Sequence, residues 1–295
     1  MAGTLAIIGA GRVGRALGRR LRELGWKIGA VVTSSEPSAR KAVRSIGAGH
    51  GYAQLTRRVL ATHVILITTP DRELAQVAEE LARIGGEELQ GKIALHTSGA
   101  VSSAVLAPVA KCGAAIGSMH PLQTFSGVGI PPLDGKVFAI EGEPAAVRVA
   151  RQIARSFGAI PVHVEGAKKP LYHGAGAMAA GSVLALMEAA TRLMVGAGMK
   201  RREAVRALLP LTRQVLDNFE RLGPRAAWTG PLSRCDFGVV AEHLQAMQEF
   251  SPEFSEAYCA VNRLAARVLA PNSAAMLDAL EKVAQPKKAR AKATL

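Results

Sequence analysis

Three glycines, Gly9, Gly11 and Gly14, follow the apolar run Thr4–Ile8 directly and open a helical pattern at Arg12. The spacing G-x-G-x-x-G occurs in loops of many kinds, but between a strand and a helix it constrains the chain severely. The first glycine permits a tight turn, the second lets phosphates approach the backbone, and the third lets the helix pack on the strand. The helix start then offers unpaired N–H groups and partial positive charge to an anion. Gly9, Ala10, Gly11, Arg12, Val13 and Gly14 are therefore expected to cradle a pyrophosphate.

Strand-like runs at 4–8, 27–33, 64–68, 92–96, 114–118, 137–140 and 160–164 alternate with helical patterns at 12–24, 72–84, 101–111 and 145–157. This alternation predicts an α/β fold, a Rossmann domain with a mostly parallel, doubly wound sheet covered on both faces. After Gly166 only helical patterns follow, at 168–196, 201–222, 237–249, 252–270 and 272–284. The expected organisation is a dinucleotide-binding domain over 1–166, an all-α domain over 167–285 and a basic tail over 286–295.

A site for NAD would place an acid about 20 residues beyond the glycines, to hold the ribose hydroxyl. This chain has Val32-Thr33-Ser34-Ser35 there, with Arg40 and Lys41 behind. Small hydroxyls and a cation suit a 2′-phosphate instead. Thr33, Ser34, Ser35 and Arg40 are assigned to that phosphate and the cofactor is read as NADP(H). Glu36 is the counter-signal, since a shifted loop would present it to a ribose. Val64–Asp71 ends a central strand in Thr-Thr-Pro, so Thr69 and Pro70 are expected against the cofactor, with Asp71 capping the next helix.

The net charge of +14 is concentrated: residues 1–60 hold eleven Lys/Arg against two acids, and 286–295 hold four against none. A phosphorylated ligand explains the first cluster. No nucleic-acid motif accompanies the charge and aromatics are 4%, so a nucleic-acid partner is not expected. Cys112, Cys235 and Cys259 lack metal-ligand spacing and are read as plain thiols, with no metal. The longest apolar run, Ala175–Met187, is too short to span a bilayer, and the N-terminus lacks a signal-peptide pattern; a cytoplasmic protein without a membrane partner is expected.

Two further strands end in polar clusters, His96-Thr97-Ser98-Gly99-Ala100 and Ser118-Met119-His120-Pro121, both directed at the same crevice. HTSGA, SMHPLQTF, KKPLYHGAG and TGPLSRCD, in that order, resemble the bacterial Rossmann-like plus DUF2520 family of oxidoreductases, which is similar to ketopantoate reductase, pyrroline-5-carboxylate reductase and prephenate dehydrogenase. The resemblance covers residues 4–285. It implies that Ser98 and His120 contribute to the active site, as their counterparts do in prephenate dehydrogenases. It also implies a catalytic lysine early in the helical domain, matched by Lys169 with Lys168 as an equal neighbour. Where the family shows Arg-Gly-Asp, this chain has Arg234-Cys235-Asp236.

Hydride addition to a carbonyl builds charge on oxygen and needs a proton donor. Lys169, expected to face the crevice from a helix entrance, suits that role, and His120 is the alternative donor. The activity expected is NADP(H)-dependent reduction of a small-molecule carbonyl or imine, with a 2-oxo acid such as ketopantoate favoured. The alternative is a sensor that binds NADP(H) without turnover. The small-residue run Gly174–Ala190 permits close helix crossings, so a homodimer built by the helical domain is expected.

Overall fold

The computed structural model describes residues 3–284, so the basic tail expected at 286–295 lies outside the described residues. Two compact units divide the chain, one running to Ala180 and the other starting at Gly181.

The first unit holds β1 (Thr4–Ile8), α1 (Arg12–Glu23), β2 (Lys27–Val32), α2 (Glu36–Ile46), β3 (His50–Tyr52), β4 (Val64–Ile67), α3 (Leu74–Gly85), β5 (Ile93–His96), α4 (Ala107–Lys111), β6 (Ala115–Pro121), β7 (Val137–Gly142), α5 (Pro144–Ser156), β8 (Ile160–His163) and α6 (Lys169–Ala177). The strands form one sheet in the order β3-β2-β1-β4-β5-β6-β7-β8. Every neighbouring pair is parallel except β6 and β7.

Strand period two explains the double winding. Leu5 and Ile7 of β1, with Val64 and Leu66 of β4, join a core under α1, α2 and α5. Ala6, Ile8, Ile65 and Ile67 point the other way, into a core under α3 and α4. Burial on both faces is why these strands read as continuous apolar runs. The order reverses between β1 and β4, so a crevice opens at the carboxyl ends of these strands.

Some elements depart from expectation. α2 and β3 were not anticipated, and β6 runs on through His120 and Pro121 rather than ending at Ser118. The extension exists because β7 returns antiparallel and pairs His120 with Ala139 and Ser118 with Glu141.

The second unit contains α7 (Val183–Gly196), α8 (Arg201–Leu222), α9 (Pro224–Ala227), α10 (Phe237–Phe250), α11 (Pro252–Leu269) and α12 (Ser273–Ala284), with no strand among the described residues. Leu232, Val240, Leu244, Ala266, Met276 and Leu280 form its core. On α8, Leu211, Val215, Phe219 and Leu222 are exposed; their spacing sets them on one face, a stripe about 16 Å long. Cys235 lies at φ 58°, the one non-glycine residue with positive φ among those described. The loop thus keeps a backbone that favours the glycine of the family's Arg-Gly-Asp.

Candidate active site

A cleft of about 1050 Å³ lies along the carboxyl ends of the parallel strands. The glycine loop forms its floor. Gly9 has φ 82°, and a Cβ there would strike Thr69 atoms at 2.4–2.8 Å. A Cβ on Gly14 would meet Thr68 Oγ1 at 2.3 Å, so close helix–strand packing requires glycine. Gly11 differs, since its Cβ would meet only the Gly9 carbonyl at 3.8 Å. Its space opens on the cleft. Thr68, which sequence reasoning passed over, pins the loop by donating from Oγ1 to the Gly9 carbonyl at 2.7 Å. The first turn of α1 has no acid and no side-chain cap, which leaves its N–H groups free for an anion.

At the end of β2 the cleft is lined by Thr33, Ser34, Ser38 and Lys41. Ser35 and Arg40, both assigned to the phosphate from sequence, are not brought to it. Ser35 is the N-cap of α2 and accepts from the Ser38 N–H. Arg40 pairs with Glu36 at 3.5 Å on the exposed face, and Glu36 is likewise absent from the cleft wall. Consecutive helical residues differ by 100° in direction, so Lys41 faces where Arg40 does not. Arg12 and Arg15 add positive charge, while Asp71, Glu73 and Glu80 line the α3 side. Asp71 makes no helix cap.

Thr69 Oγ1 is buried without a hydrogen-bond partner and its residue lines the cleft beside Pro70. A buried hydroxyl without a partner fits a site completed by a ligand. The glycine loop, the open Gly11, the hydroxyls and Lys41 together fit NADP(H).

The far end of the cleft is walled by Thr97, Ser98, Gly99, His120 and His173. Ser98 Oγ accepts from Ala100 N at 3.1 Å and Val101 N at 2.9 Å, holding the turn after β5. Nδ1 of His120 lies 2.9 Å from the Tyr172 hydroxyl, and His173 stacks edge-on to His120 at 5.7 Å between ring centroids. A Cβ on Gly99 would come within 2.8 Å of His120 Cε1 and Nε2, so glycine there lets the imidazole reach the cleft. Burial, then the charges of His173 and Lys169, push His120 down to about 4, and burial pushes Tyr172 up to about 12. Both are neutral at physiological pH. His96 is fully buried, and its Nδ1 accepts from the Ser98 N–H at 3.1 Å.

Lys169 does not face the crevice. It is 1% exposed, and Nζ donates to the Ser98 carbonyl at 2.9 Å, to Ser118 Oγ and to Glu141 Oε1 at 3.5 Å. The cause is register: Ser118 and Glu141 are cross-strand partners on β6 and β7, so the buried Glu141 carboxylate needs a counter-charge and the Ser118 hydroxyl beside it can accept a hydrogen bond from that charge. Lys168 is exposed and pairs with Glu165 at 2.9 Å. Sequence reasoning gave no role to Glu141 or Tyr172. The spacing of Lys169, Tyr172 and His173 on one helical turn was the available signal for the latter. No cluster of three metal-ligating side chains occurs among the described residues.

No curated protein matches this sequence. Among solved structures, the chain is similar to a Bacteroides fragilis protein provisionally named an NADP oxidoreductase, at 21% identity and TM-score 0.74, covering 89% of this chain and 97% of that one. It is similar to a Thermotoga maritima protein at 24% identity and TM-score 0.66, covering 95% and 98%. It is also similar to a reductive aminase from Aspergillus terreus, solved with NADPH and ethyl-5-oxohexanoate, at 17% identity and TM-score 0.68, covering 90% and 94%. Residues 3–121 match the Rossmann-like domain and residues 136–265 match a domain of unknown function, DUF2520. The chain therefore belongs to the proteins that join a Rossmann-like domain to a DUF2520 domain.

Proposed function

We propose that the protein is an NADP(H)-dependent reductase of a small carbonyl or imine, with His120 as the group that meets the reacting oxygen or nitrogen. The observation that carries this reading is the neutral His120–Tyr172 pair, 2.9 Å apart, at the opposite end of the cleft from the Lys41 hydroxyl cluster. The glycine loop would hold the pyrophosphate, and Thr33, Ser34, Ser38 and Lys41 the 2′-phosphate. Bound NADPH supplies a hydride to the carbon of a C=O or C=N bond. The chain's own task is to place a hydrogen at the atom that gains the electron pair. Tyr172, held as the phenol, donates to Nδ1 of His120. That fixes the tautomer with hydrogen on Nε2, over Gly99 and toward the cleft. A neutral imidazole then acts as a hydrogen-bond donor to the developing charge, as neutral donors do in oxyanion sites. The proton that completes the product leaves Nε2 as the Tyr172 hydroxyl proton passes to Nδ1, and solvent restores the phenol.

The substrate candidates are 2-oxo acids, which the family resemblance favours, and imines formed from ketones, which the likeness to the reductive aminase favours. The test follows reduced-nicotinamide absorbance with 2-oxo acids, with and without ammonia, and with cyclic imines. Consumption with one class supports the reading. Tight NADPH binding with no consumption across the panel would favour the sensor.

The uncovered apolar stripe of α8 is assigned to a second copy of the chain. The helical stretch Gly166–Gly196, longer than the run Ala175–Met187 read from the sequence, is long and apolar enough to cross a membrane, and 6% of its most apolar 18-residue window is buried. Glu188 within it, however, pairs with Arg192 at 3.0 Å and Arg201 at 2.7 Å. An exposed ionic cluster on this span suits a protein partner with a polar rim better than a lipid interior.

A further inference from the structure

We infer that Lys169 is a positioning residue rather than a proton donor: with Glu141 it clamps the start of α6 to the turn after β5 and to β6 and β7, and so fixes Tyr172 and His173 against His120. An ammonium has three N–H donors. Here the Ser98 carbonyl, Ser118 Oγ and Glu141 Oε1 take all three, leaving none for a substrate. Glu141 is engaged just as fully. Its Oε1 accepts from Ser103 N at 2.7 Å and its Oε2 from Ser103 Oγ at 2.7 Å. Its side chain is 8% exposed.

The cluster joins five segments: the turn after β5 (Ser98), β6 (Ser118), β7 (Glu141), the helical turn Ser103–Leu106, and the first residue of α6. Positions i+3 and i+4 of a helix sit on the same face as i. Tyr172 and His173 hold those positions relative to Lys169, so anchoring the lysine sets the turn that presents both rings. Burying two charges is costly unless each is paired and hydrogen-bonded, and removing one partner leaves the other uncompensated. Removing both with apolar side chains of similar volume avoids that cost. A clamp and a reacting ammonium therefore predict different outcomes.

The inference rests on the reductase reading only where turnover is measured, so the experiment has two arms. The first needs no substrate. Hydrogen exchange of the α6 amides is compared in wild type, Lys169→Met and the shape-conserving Glu141→Gln, all as full chains. The clamp predicts at least tenfold faster exchange in 173–177 for both variants, with β1 and β4 amides unchanged. Unaltered exchange in Glu141→Gln, the variant least able to disturb folding, would overturn the clamp. The second arm measures kcat and KM for Lys169→Met, Glu141→Gln and the double variant Lys169→Met/Glu141→Leu. Expected are losses of about tenfold to a hundredfold in kcat for each single variant, NADPH affinity within threefold, and recovery to within about fivefold of wild type in the double variant. A double variant that folds, binds NADPH and remains as inactive as Lys169→Met would make the ammonium a chemical participant and overturn the proposal. If no substrate is turned over by the wild type, the reductase reading fails while the exchange arm still decides the clamp.

Discussion

The Tyr172 hydroxyl lies 2.9 Å from Nδ1 of His120, and this contact joins the first turn of α6 to the end of β6. It sets which imidazole nitrogen can face the cleft. Tyr172→Phe removes the donor and releases the tautomer, so kcat/KM is expected to fall about tenfold to a hundredfold. NADPH affinity should stay within threefold, because Tyr172 does not line the cleft. His120→Asn is expected to cost about 10²–10³. Steady-state kinetics on the best substrate found, with calorimetry for NADPH, checks both. An unchanged Tyr172→Phe would remove the phenol from the mechanism.

Proton linkage at His120 has a definite sign. Burial, the first cause, together with His173 and Lys169, depresses its folded pKa to about 4 from 6.5. Between these values the unfolded chain binds a proton that the folded chain does not. Stability is therefore present above pH 6.5 and is lost as pH falls toward 4. His96, depressed to about 3 by burial and then by Lys169, acts in the same direction. Urea midpoints at pH 7 and pH 4.5 should differ less for His120→Gln than for wild type. Equal differences in the two proteins would contradict the buried neutral histidine.

Cys235 occupies the left-handed region at φ 58° and ψ 29°, with an exposed side chain. A non-glycine residue there costs roughly 1–2 kcal/mol. Glycine gives back about 0.5–1 kcal/mol through greater freedom in the unfolded chain. Cys235→Gly should therefore stabilise by roughly 0.5–1 kcal/mol, and the β-branched Cys235→Val should destabilise. Thermal unfolding followed by circular dichroism decides it. A lower Tm for the glycine variant would show that the loop is not strained.

The apolar stripe of α8 predicts self-association. Light scattering at micromolar concentration should give twice the chain mass of 30.9 kDa. Leu211→Glu with Phe219→Glu should return the chain mass itself, because two charges on an interface helix cannot be desolvated cheaply. A wild-type protein of chain mass would reject the second copy.

Much of the fold was legible because its signals are local. The bounds of β1 and α8 were readable from apolar periodicity alone, and the glycine loop from its neighbours on either side. β3 was not, because His50–Tyr52 is short and carries little buried surface at the sheet edge. The site was less legible for the same physical reason. Lys41 and Arg40 are adjacent in sequence, and only the N-cap at Ser35 sets the helix phase that turns one toward the cleft. Glu141 is a lone carboxylate inside a strand, and its meaning depends on Lys169, 28 residues away. Neither periodicity nor motif encodes that pairing. The same pairing removed Lys169 from the crevice where its place before Pro170 suggested it would stand.

The proposed chemistry depends on NADPH occupying the cleft, and calorimetric titration with NADPH and NADH reads that directly. A charge-assisted phosphate contact is worth roughly 1.5–3 kcal/mol, or at least about tenfold in affinity. NADPH is therefore expected to bind wild type at least tenfold tighter than NADH. Lys41→Ala should erase most of that preference and Arg40→Ala should leave it intact. Gly11→Val should fold normally, since its side chain enters open space, yet bind neither nucleotide. Equal affinity of wild type for NADPH and NADH, or undiminished binding by Gly11→Val, would contradict the assignment of this cleft to NADP(H).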